Sequence, residues 1–171
     1  SPSSQCRRFL PGIKIRCRRG RADCGGIPIG IITNSDLSYQ GFPAGIAILQ
    51  SERLVFKTAC AGDLEQDERL AGKRLGEDLS PSTNGKLLLI FYESVKSPPT
   101  AATPLVMNAS PLLIQGIEEA IAPSVPSLGA GLVGDFEFSP TRQFCGYSVA
   151  SQKVVGTLFG GDLHHYCRIM H

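Results

Sequence analysis

The stretch SLGAGLVGD, Ser127–Asp135, has the spacing that most resembles a phosphate-binding turn. Its glycines Gly129, Gly131 and Gly134 follow the pattern G-x-G-x-x-G of a dinucleotide-binding loop. Such a loop binds a pyrophosphate through the free amides of a helix that begins directly after it. The residues that follow here contain Pro140 and predict loop and strand instead. The sequence therefore disfavours a nucleotide cofactor and predicts that the glycines allow close approach of the backbone.

Signals for catalysis and for metal binding are weaker. Cys145 has no histidine nearby in the sequence, so a nucleophilic role would require His164 or His165 to approach it in the fold. The C-terminal residues Cys167 and His171 extend this group, but adjacent histidines on a strand point to opposite faces. We expect a buried thiol at Cys145 and an exposed C-terminal tail. The prediction is no catalytic residue, no metal and no cofactor, with a cysteine-dependent hydrolase as the weakest alternative.

Composition limits the class of protein. A chain of 171 residues with 42% hydrophobic content can bury one core, and its 19 glycines and 12 prolines favour strands and turns over a helical bundle. No apolar run approaches the roughly 20 residues of a membrane span, and the N-terminal residues lack the apolar region of a signal peptide. The six cysteines form no CxxC pair, so we interpret them as reduced thiols. A cytoplasmic protein without membrane partners is predicted.

Charge is concentrated at the N-terminus. Residues 1–25 contain seven Arg and Lys against a single Asp, whereas the rest of the chain is acidic. This segment is either a basic arm for nucleic acid or anionic lipid, or a poorly ordered arm or degenerate helix. The second interpretation is favoured, because Phe9 is the only aromatic residue interleaved with the bases. We therefore expect no nucleic-acid partner and assign the domain proper to residues 26–171.

Hydrophobic periodicity predicts an α/β fold with a mixed β-sheet and covering helices. The run KLLLIFYES is almost continuously apolar, which is typical of a strand at the centre of a covered sheet. One helix is predicted to begin at Asp63 with Gln66 completing a capping box, and a second at Ser110 with proline following. Gly72 and Gly76 lie one turn apart, which allows the first helix to approach a neighbour closely. Further strands are predicted at IPIGIIT, GIAILQS, LVFKTACAG, PSLGAGLVGD, FCGYSVAS and KVVGTLFGGD. GIAILQS and LVFKTACAG, joined by Glu52 and Arg53, are predicted to form a hairpin, and FCGYSVAS is predicted to lie in another.

Similar residues recur at a constant spacing. Three pairs are each separated by 99 positions: Gly30 and Gly129, Gly62 and Gly161, Asp63 and Asp162. This spacing predicts two related strand–hairpin units, at about residues 26–64 and 125–163. The second unit follows KLLLIFYES and a helix, and the counterpart of that strand in the first unit would lie before Ser1. We therefore expect a fold truncated at both ends, with an unpaired sheet edge beside the first unit that makes the isolated chain fold poorly.

Two of these motifs resemble those of a known family. GIITNSDL, residues 30–37, is similar to a motif of glycine, two small residues, threonine, any residue, glycine, acid and aliphatic, with Ser35 in place of the second glycine. LGAGLVGD resembles the family's second glycine-rich motif, and MNASPLLIQGIEEAIAPSVP resembles the helix that leads to it. The family is the FIST domain, an intracellular ligand-sensing module of bacterial signalling proteins and eukaryotic F-box proteins. The resemblance covers about residues 27–171, the N-terminal half of that domain.

The resemblance implies a sensory domain that binds a small polar metabolite such as an amino acid and reports its binding to an attached or separate signalling partner. The alternative it implies is a protein-interaction module of an F-box-type ubiquitin-ligase adaptor with no metabolite ligand.

The two strand ends are predicted to line one cleft. An acid for an ammonium group and Arg142 for a carboxylate would suit an amino acid. The other interpretation is that Asp36 and Asp135 only end turns and that Arg142 is solvated. The predicted ligand-binding residues are Thr33, Asn34, Ser35, Asp36, Gly129, Gly131, Gly134, Asp135 and Arg142.

Overall fold

A computed structural model describes residues 24–32, 35, 37–39, 49–80, 84–122, 124–146 and 148–166. Within them the chain forms two helices and eleven strands. The helices are α1 (Glu68–Leu79) and α2 (Ser110–Ala120). The strands are β1 (Cys24–Gly26), β2 (Ile31–Ile32), β3 (Leu37–Ser38), β4 (Leu54–Ala61), β5 (Gly85–Glu93), β6 (Val95–Ser97), β7 (Val106–Met107), β8 (Ser127–Leu132), β9 (Gln143–Cys145), β10 (Ser148–Ala150) and β11 (Val154–Gly161).

A four-stranded mixed sheet forms the centre of the molecule. Its strand order is β4-β11-β5-β8, with β11 antiparallel to both of its neighbours and β5 parallel to β8. The apolar run KLLLIFYES becomes β5 and lies inside the sheet, as its composition predicts. The predicted α/β fold with a mixed sheet is confirmed.

The two helices pack side by side on one face of this sheet and enclose the core. A Cβ atom at Gly72 would collide with the backbone of Leu113, and one at Gly116 with the backbone of Arg69. The predicted close approach of α1 to a neighbour is therefore confirmed, and the neighbour is α2. Their apolar side chains meet those of the sheet in one cluster: Leu64, Ala71, Leu75, Leu79, Leu113, Ile117 and Ile121 from the helical side, with Ala61, Leu88, Ile90, Val154 and Leu158 from the strands.

Helix α1 begins four residues later than its capping pattern predicts. Asp67 is the N-cap, and its Oδ1 accepts a hydrogen bond of 2.8 Å from the Leu70 amide. Asp63 instead adopts a left-handed conformation with φ of 59°, in the turn after β4, and forms a 3.2 Å ion pair with Arg74. The prediction was wrong because two acids four residues apart both offer a cap, and the turn after β4 uses the first. Helix α2 begins at Ser110, as predicted.

A smaller sheet covers the opposite face, in the order β1-β9-β10. The predicted hairpin in FCGYSVAS is present, with Gly146 at φ of 57° in its turn. The predicted continuous buried strand IPIGIIT is wrong. No strand spans residues 27–30, and Ile32 in the short β2–β3 hairpin is 76% exposed. The chain leaves the small sheet after β1, where the Ile27 amide bonds to the Arg142 carbonyl at 3.0 Å.

Some predictions fall outside the described residues. Residues 1–23 of the predicted basic arm do so, although its last two positions, Cys24 and Gly25, belong to β1. Most of the predicted strand GIAILQS, residues 45–48, does so as well. Neither α1 nor α2, in the part of the chain that is described, has the length and apolar character that crossing a membrane requires.

Candidate functional site

A groove of about 210 Å³ runs between α2 and the exposed strand β8. Strand β8 lies at one edge of the central sheet, and residues 127–131 are all exposed. The groove combines apolar walls with three hydroxyl groups and the exposed backbone of β8. Its lining consists of Ile90 and Tyr92 from β5, Ser110 and Ile114 from α2, and residues 127–131 of β8.

Gly129 and Gly131 allow β8 to pack closely against the neighbouring strand β5. A Cβ atom at Gly129 would collide with the carbonyl of Ile90, and one at Gly131 with Oγ of Ser94. A side chain at either position would therefore push β8 away from β5. The two glycines of the G-x-G spacing therefore allow close approach of the backbone, as predicted, and β8 approaches its neighbouring strand β5. At positions 129 and 131 the groove therefore borders the bare backbone of β8.

Gly134 and Asp135 close a separate loop after β8. The Gly134 amide bonds to the Ser139 carbonyl at 3.1 Å, and Asp135 Oδ1 accepts bonds of 2.9 Å from the amides of Glu137 and Ser139. The hydroxyl and amide of Ser139, with the amide of Glu137, hold the pKa of the Asp135 carboxyl below its usual value. Asp135 therefore stabilises a turn, which is one of the two roles that the sequence predicted for it.

The remaining predicted residues are divided between other places. Arg142 is exposed, its guanidinium forms no ion pair with any described residue, and it does not line the groove. Ser35 is exposed too, while Thr33, Asn34 and Asp36 lie outside the described residues. Gly129 and Gly131 are therefore the predicted residues that the groove brings together.

One contact links the two predicted motifs. The ring of Tyr39, just after β3, lies 6.4 Å from the ring of Phe136 in the loop that Asp135 closes, measured between centroids. The residues that follow the first motif are therefore next to those that follow the second. The predicted cleft between the motifs stays a prediction.

A buried carboxyl group that the sequence did not reveal lies at the end of β5. Glu93 is fully buried, and its Oε2 accepts a 2.9 Å bond from the Thr141 amide while Oε1 accepts a 3.4 Å bond from the Val95 amide. Burial raises the pKa of this carboxyl, and hydrogen bonds from Thr141, Gln143 and Val95 oppose the rise only in part. In the sequence, the feature that could have indicated this buried carboxyl is an acidic residue at the end of the most apolar strand.

Buried amide side chains extend this network. Asn108 Nδ2 donates to the Glu93 carbonyl at 2.8 Å and to Gln152 Oε1 at 3.1 Å, and Gln152 Nε2 donates to the Val95 carbonyl at 2.7 Å. Gln143 Oε1 accepts a 3.1 Å bond from the Lys153 amide. Because these bonds end mostly on backbone groups, the network fixes the strand ends that carry the groove.

Among the described residues, Cys24, Cys60 and Cys145 form no disulfide and lie where the two sheets face each other; Cys24 Sγ is 2.9 Å from Oγ1 of Thr157. Burial raises the pKa of Cys145 to about 12, with a hydrogen bond to Cys60 and the nearby thiols of Cys60 and Cys24 adding to the effect. A thiol with this pKa is a poor nucleophile at neutral pH. Among the described residues no group of three or more His, Cys, Asp or Glu side chains is placed to hold a metal ion, and His164 is exposed.

The comparisons with known proteins agree with the resemblance drawn from the motifs. The family model of the FIST N domain matches residues 1–171, which is the whole chain and includes the basic N-terminal stretch. The searches of curated proteins and of solved structures gave no significant match. The chain therefore belongs to the FIST N domain family, a family of sensory domains of signalling proteins.

Proposed function

We propose that this chain is the ligand-binding part of an intracellular signalling protein and that a small polar molecule binds in the groove between α2 and β8. The groove itself is the observation that carries the proposal. Its volume of about 210 Å³ corresponds to roughly seven water molecules in the liquid. This is the size range of a single metabolite of amino-acid dimensions.

The lining suggests how such a ligand would be held. Ile90, Ile114 and Leu128 offer apolar contact, and Tyr92, Ser110 and Ser127 carry hydroxyl groups. On the side of β8 that faces away from β5, no described strand pairs with its backbone, so amide and carbonyl groups alternate there for hydrogen bonding.

The narrower proposal is an amino acid, which needs partners for both of its charges. No charged side chain lines the groove. An amino acid would therefore have to reach beyond the groove, and for its charges we propose Arg142 for the carboxylate and an acid for the ammonium group, with Thr33, Asn34, Ser35, Asp36, Gly134 and Asp135 as further residues; Arg142 lies outside the lining of the groove. A neutral polar ligand would not require them, so the two forms of the proposal differ in their dependence on Arg142.

A thermal-shift screen of the full chain against the twenty amino acids and a set of neutral metabolites tests the proposal. A ligand at 100 times its Kd adds about 2.7 kcal/mol of stability, or roughly 5–10 °C in Tm for a chain of this size. We expect Ile114→Trp, which fills the groove, to abolish the shift. Leu112→Trp is the matched control, because Leu112 lies on the same helix, is 42% exposed and does not line the groove.

The outcomes separate the alternatives. A shift that survives Ile114→Trp would place the ligand elsewhere and contradict the proposal. A shift that is lost with Ile114→Trp and also with Arg142→Ala would support an amino acid, whereas one that survives Arg142→Ala would support a neutral ligand.

The second candidate function is a protein-interaction module of an F-box-type adaptor without a metabolite ligand. Exposed apolar side chains along three elements favour it, because a partner protein could bury them. They are Leu112 of α2, Leu128 of β8, and Val106 and Met107 of β7, each between 42% and 54% exposed. A screen without any hit, together with binding of a purified partner that Leu112→Glu and Leu128→Glu each weaken, would support this function.

A further inference from the structure

Cys24 and Cys145 lie opposite each other across the β1–β9 pair. Their strands are antiparallel, and the Ile27 amide bonds to the Arg142 carbonyl three positions further along the same ladder. Hydrogen-bonded and non-hydrogen-bonded pairs alternate along an antiparallel ladder, so Cys24 and Cys145 form a non-hydrogen-bonded pair. The Cα atoms of such a pair are about 4.5 Å apart, which lies within the range that a disulfide spans.

Both thiols lie on the face of the small sheet that meets the central sheet, because directly opposite residues of an antiparallel pair share a face. Cys24 Sγ is 2.9 Å from Oγ1 of Thr157 on β11, and the Cys145 thiol forms a hydrogen bond with that of Cys60 on β4. All three cysteines are half-buried, so a molecule of the size of water can reach them. None of them lines the groove between α2 and β8.

We infer that Cys24 and Cys145 are a modification site, at which hydrogen peroxide converts the two thiols into a disulfide. One peroxide molecule takes two electrons from the two sulfur atoms and leaves as two molecules of water. The site is separate from the proposed ligand groove, so the chain would respond to an oxidant independently of a metabolite.

Cys24 is the thiol that reacts first. Burial raises the pKa of Cys145 to about 12, so almost none of that thiol is ionised at neutral pH, and the thiolate is the nucleophile. The Cys24 thiolate attacks one peroxide oxygen: an S–O bond forms, the O–O bond breaks, and the hydroxide released takes up a proton to become water. Cys145 Sγ then attacks Cys24 Sγ: the S–S bond forms, the S–O bond breaks, and the hydroxide leaves as water with the proton of Cys145.

Cys60 is the competing partner for Cys145, since their thiols share a hydrogen bond. Cys60 belongs to the central sheet, however, and no backbone ladder joins β4 to β9. A bridge between them would have to fit the spacing of two packed sheets. Cys24 and Cys145 are placed by a backbone ladder, and their bridge needs only rotation of the two side chains.

Peptide mapping of the full chain after treatment with a small molar excess of hydrogen peroxide tests the inference. Trypsin leaves the three cysteines in different peptides: Cys24 in residues 22–53, Cys60 in residues 58–69 and Cys145 in residues 143–153. After remaining thiols are alkylated, we expect peptides 22–53 and 143–153 to be joined with the loss of two hydrogen atoms, and dithiothreitol to separate them. Oxidation in concentrated urea is the control, because without the ladder this pair should not be favoured.

Thermal unfolding gives a second readout. The bridge connects residues that are far apart in the sequence and so restricts the unfolded chain, which should raise Tm by roughly 5–15 °C until the chain is reduced again. Cys24→Ser keeps a hydroxyl group for the contact with Thr157 and should abolish both the linkage and the rise in Tm. Cys60→Ser is the matched control and should retain both. Circular dichroism of the variants checks that the fold is retained, and the peptide map of the wild-type chain does not depend on them.

Four results would overturn the inference. A linkage of peptide 58–69 to peptide 143–153 would identify Cys60 as the partner. Oxidation of Cys24 to its sulfinic or sulfonic acid without any linkage would show that Cys145 is not within reach. Equal linkage in urea would show that the fold does not direct the reaction, and a linkage that lowers Tm would show that the native register does not accommodate the bridge.

Discussion

Strands β4 and β11 lie side by side in one sheet and have similar apolar content, but their surroundings differ. Strand β11 has a neighbour on each edge, the helices on one face and the small sheet on the other. No strand of residues 24–32, 35, 37–39, 49–80, 84–122, 124–146 and 148–166 pairs with the outer edge of β4, and most residues of β4 are only half-buried. Hydrophobic sequence thus permits burial, but the number of neighbouring elements determines how much of it is achieved. The next predictions test that difference, from the largest expected effect to the smallest.

Hydrogen exchange should show the largest contrast. Amides of β11 are bonded into the sheet on both sides and should exchange only through global unfolding. Amides of β4 that point away from β11 should exchange on the order of a thousandfold faster, which corresponds to a difference of about 4 kcal/mol in opening free energy. The measurement is exchange of the free chain with residue-level detection by NMR. Uniform protection along both strands would contradict the comparison, as well as the expected unpaired sheet edge beside the first unit.

Core substitutions should give the next largest effect. Leu158→Ala on β11 removes a side chain that is 2% exposed and lies in the core cluster, so we expect a loss of about 3 kcal/mol in the free energy of unfolding. Val55→Ala on β4 should cost less than about 1 kcal/mol, because that side chain is half exposed. Urea denaturation provides both values. Equal losses at the two positions would mean that β4 is covered in solution.

Two glycines 99 positions apart give a smaller but better matched comparison. Gly161, at the end of β11, has φ of 85°, and a Cβ there would collide with the carbonyl of Arg53. We expect Gly161→Ala to cost about 2 kcal/mol. A Cβ at Gly62, just after β4, meets no atom within 4 Å, so Gly62→Ala should be neutral or stabilising by up to about 1 kcal/mol. Thermal unfolding of the two variants checks this, and a loss for Gly62→Ala as large as that for Gly161→Ala would contradict it.

Much of the fold was predictable because its signals are local. The apolar run of β5 indicated a central strand, and Gly72 marked the helix interface. Signals that depend on the partner were not available. The segment IPIGIIT has the residues of a buried strand, but a strand needs a neighbour, and the chain bends away after β1.

The candidate site was predictable only in part for the same reason. The spacing of Gly129 and Gly131 identified β8, but Tyr92 and Ser110, which complete the groove, come from two other elements. Glu93 bonds to the amide of Thr141, 48 residues away in the sequence, and no periodic pattern of residues predicts such a pair. The three-dimensional structure was needed to show which residues, distant in the sequence, lie next to each other.

The smallest effect concerns the stability contribution of Glu93, which lies at the end of β5 and accepts a bond from the Thr141 amide beside the smaller sheet. Burial raises the pKa of this carboxyl in the folded chain above its ordinary value of 4.5. Between these two pKa values the folded state binds more protons than the unfolded state, so this group lowers stability as the pH rises through that window. Below pH 4.5 the carboxyl is protonated in both states and the penalty disappears.

The comparison of Glu93→Gln with the wild-type chain isolates this contribution. The amide keeps an acceptor for the Thr141 amide and does not titrate. We therefore expect the variant to gain stability relative to wild type as the pH rises from about 4.5 towards neutrality, and to lose that advantage in acid. Glu118→Gln on the exposed surface of α2 corrects for the removal of one charge. Urea denaturation between pH 4 and 8 provides the curves; if those of Glu93→Gln and wild type run parallel, the carboxyl is hydrated and the end of β5 is as open as the edge of β4.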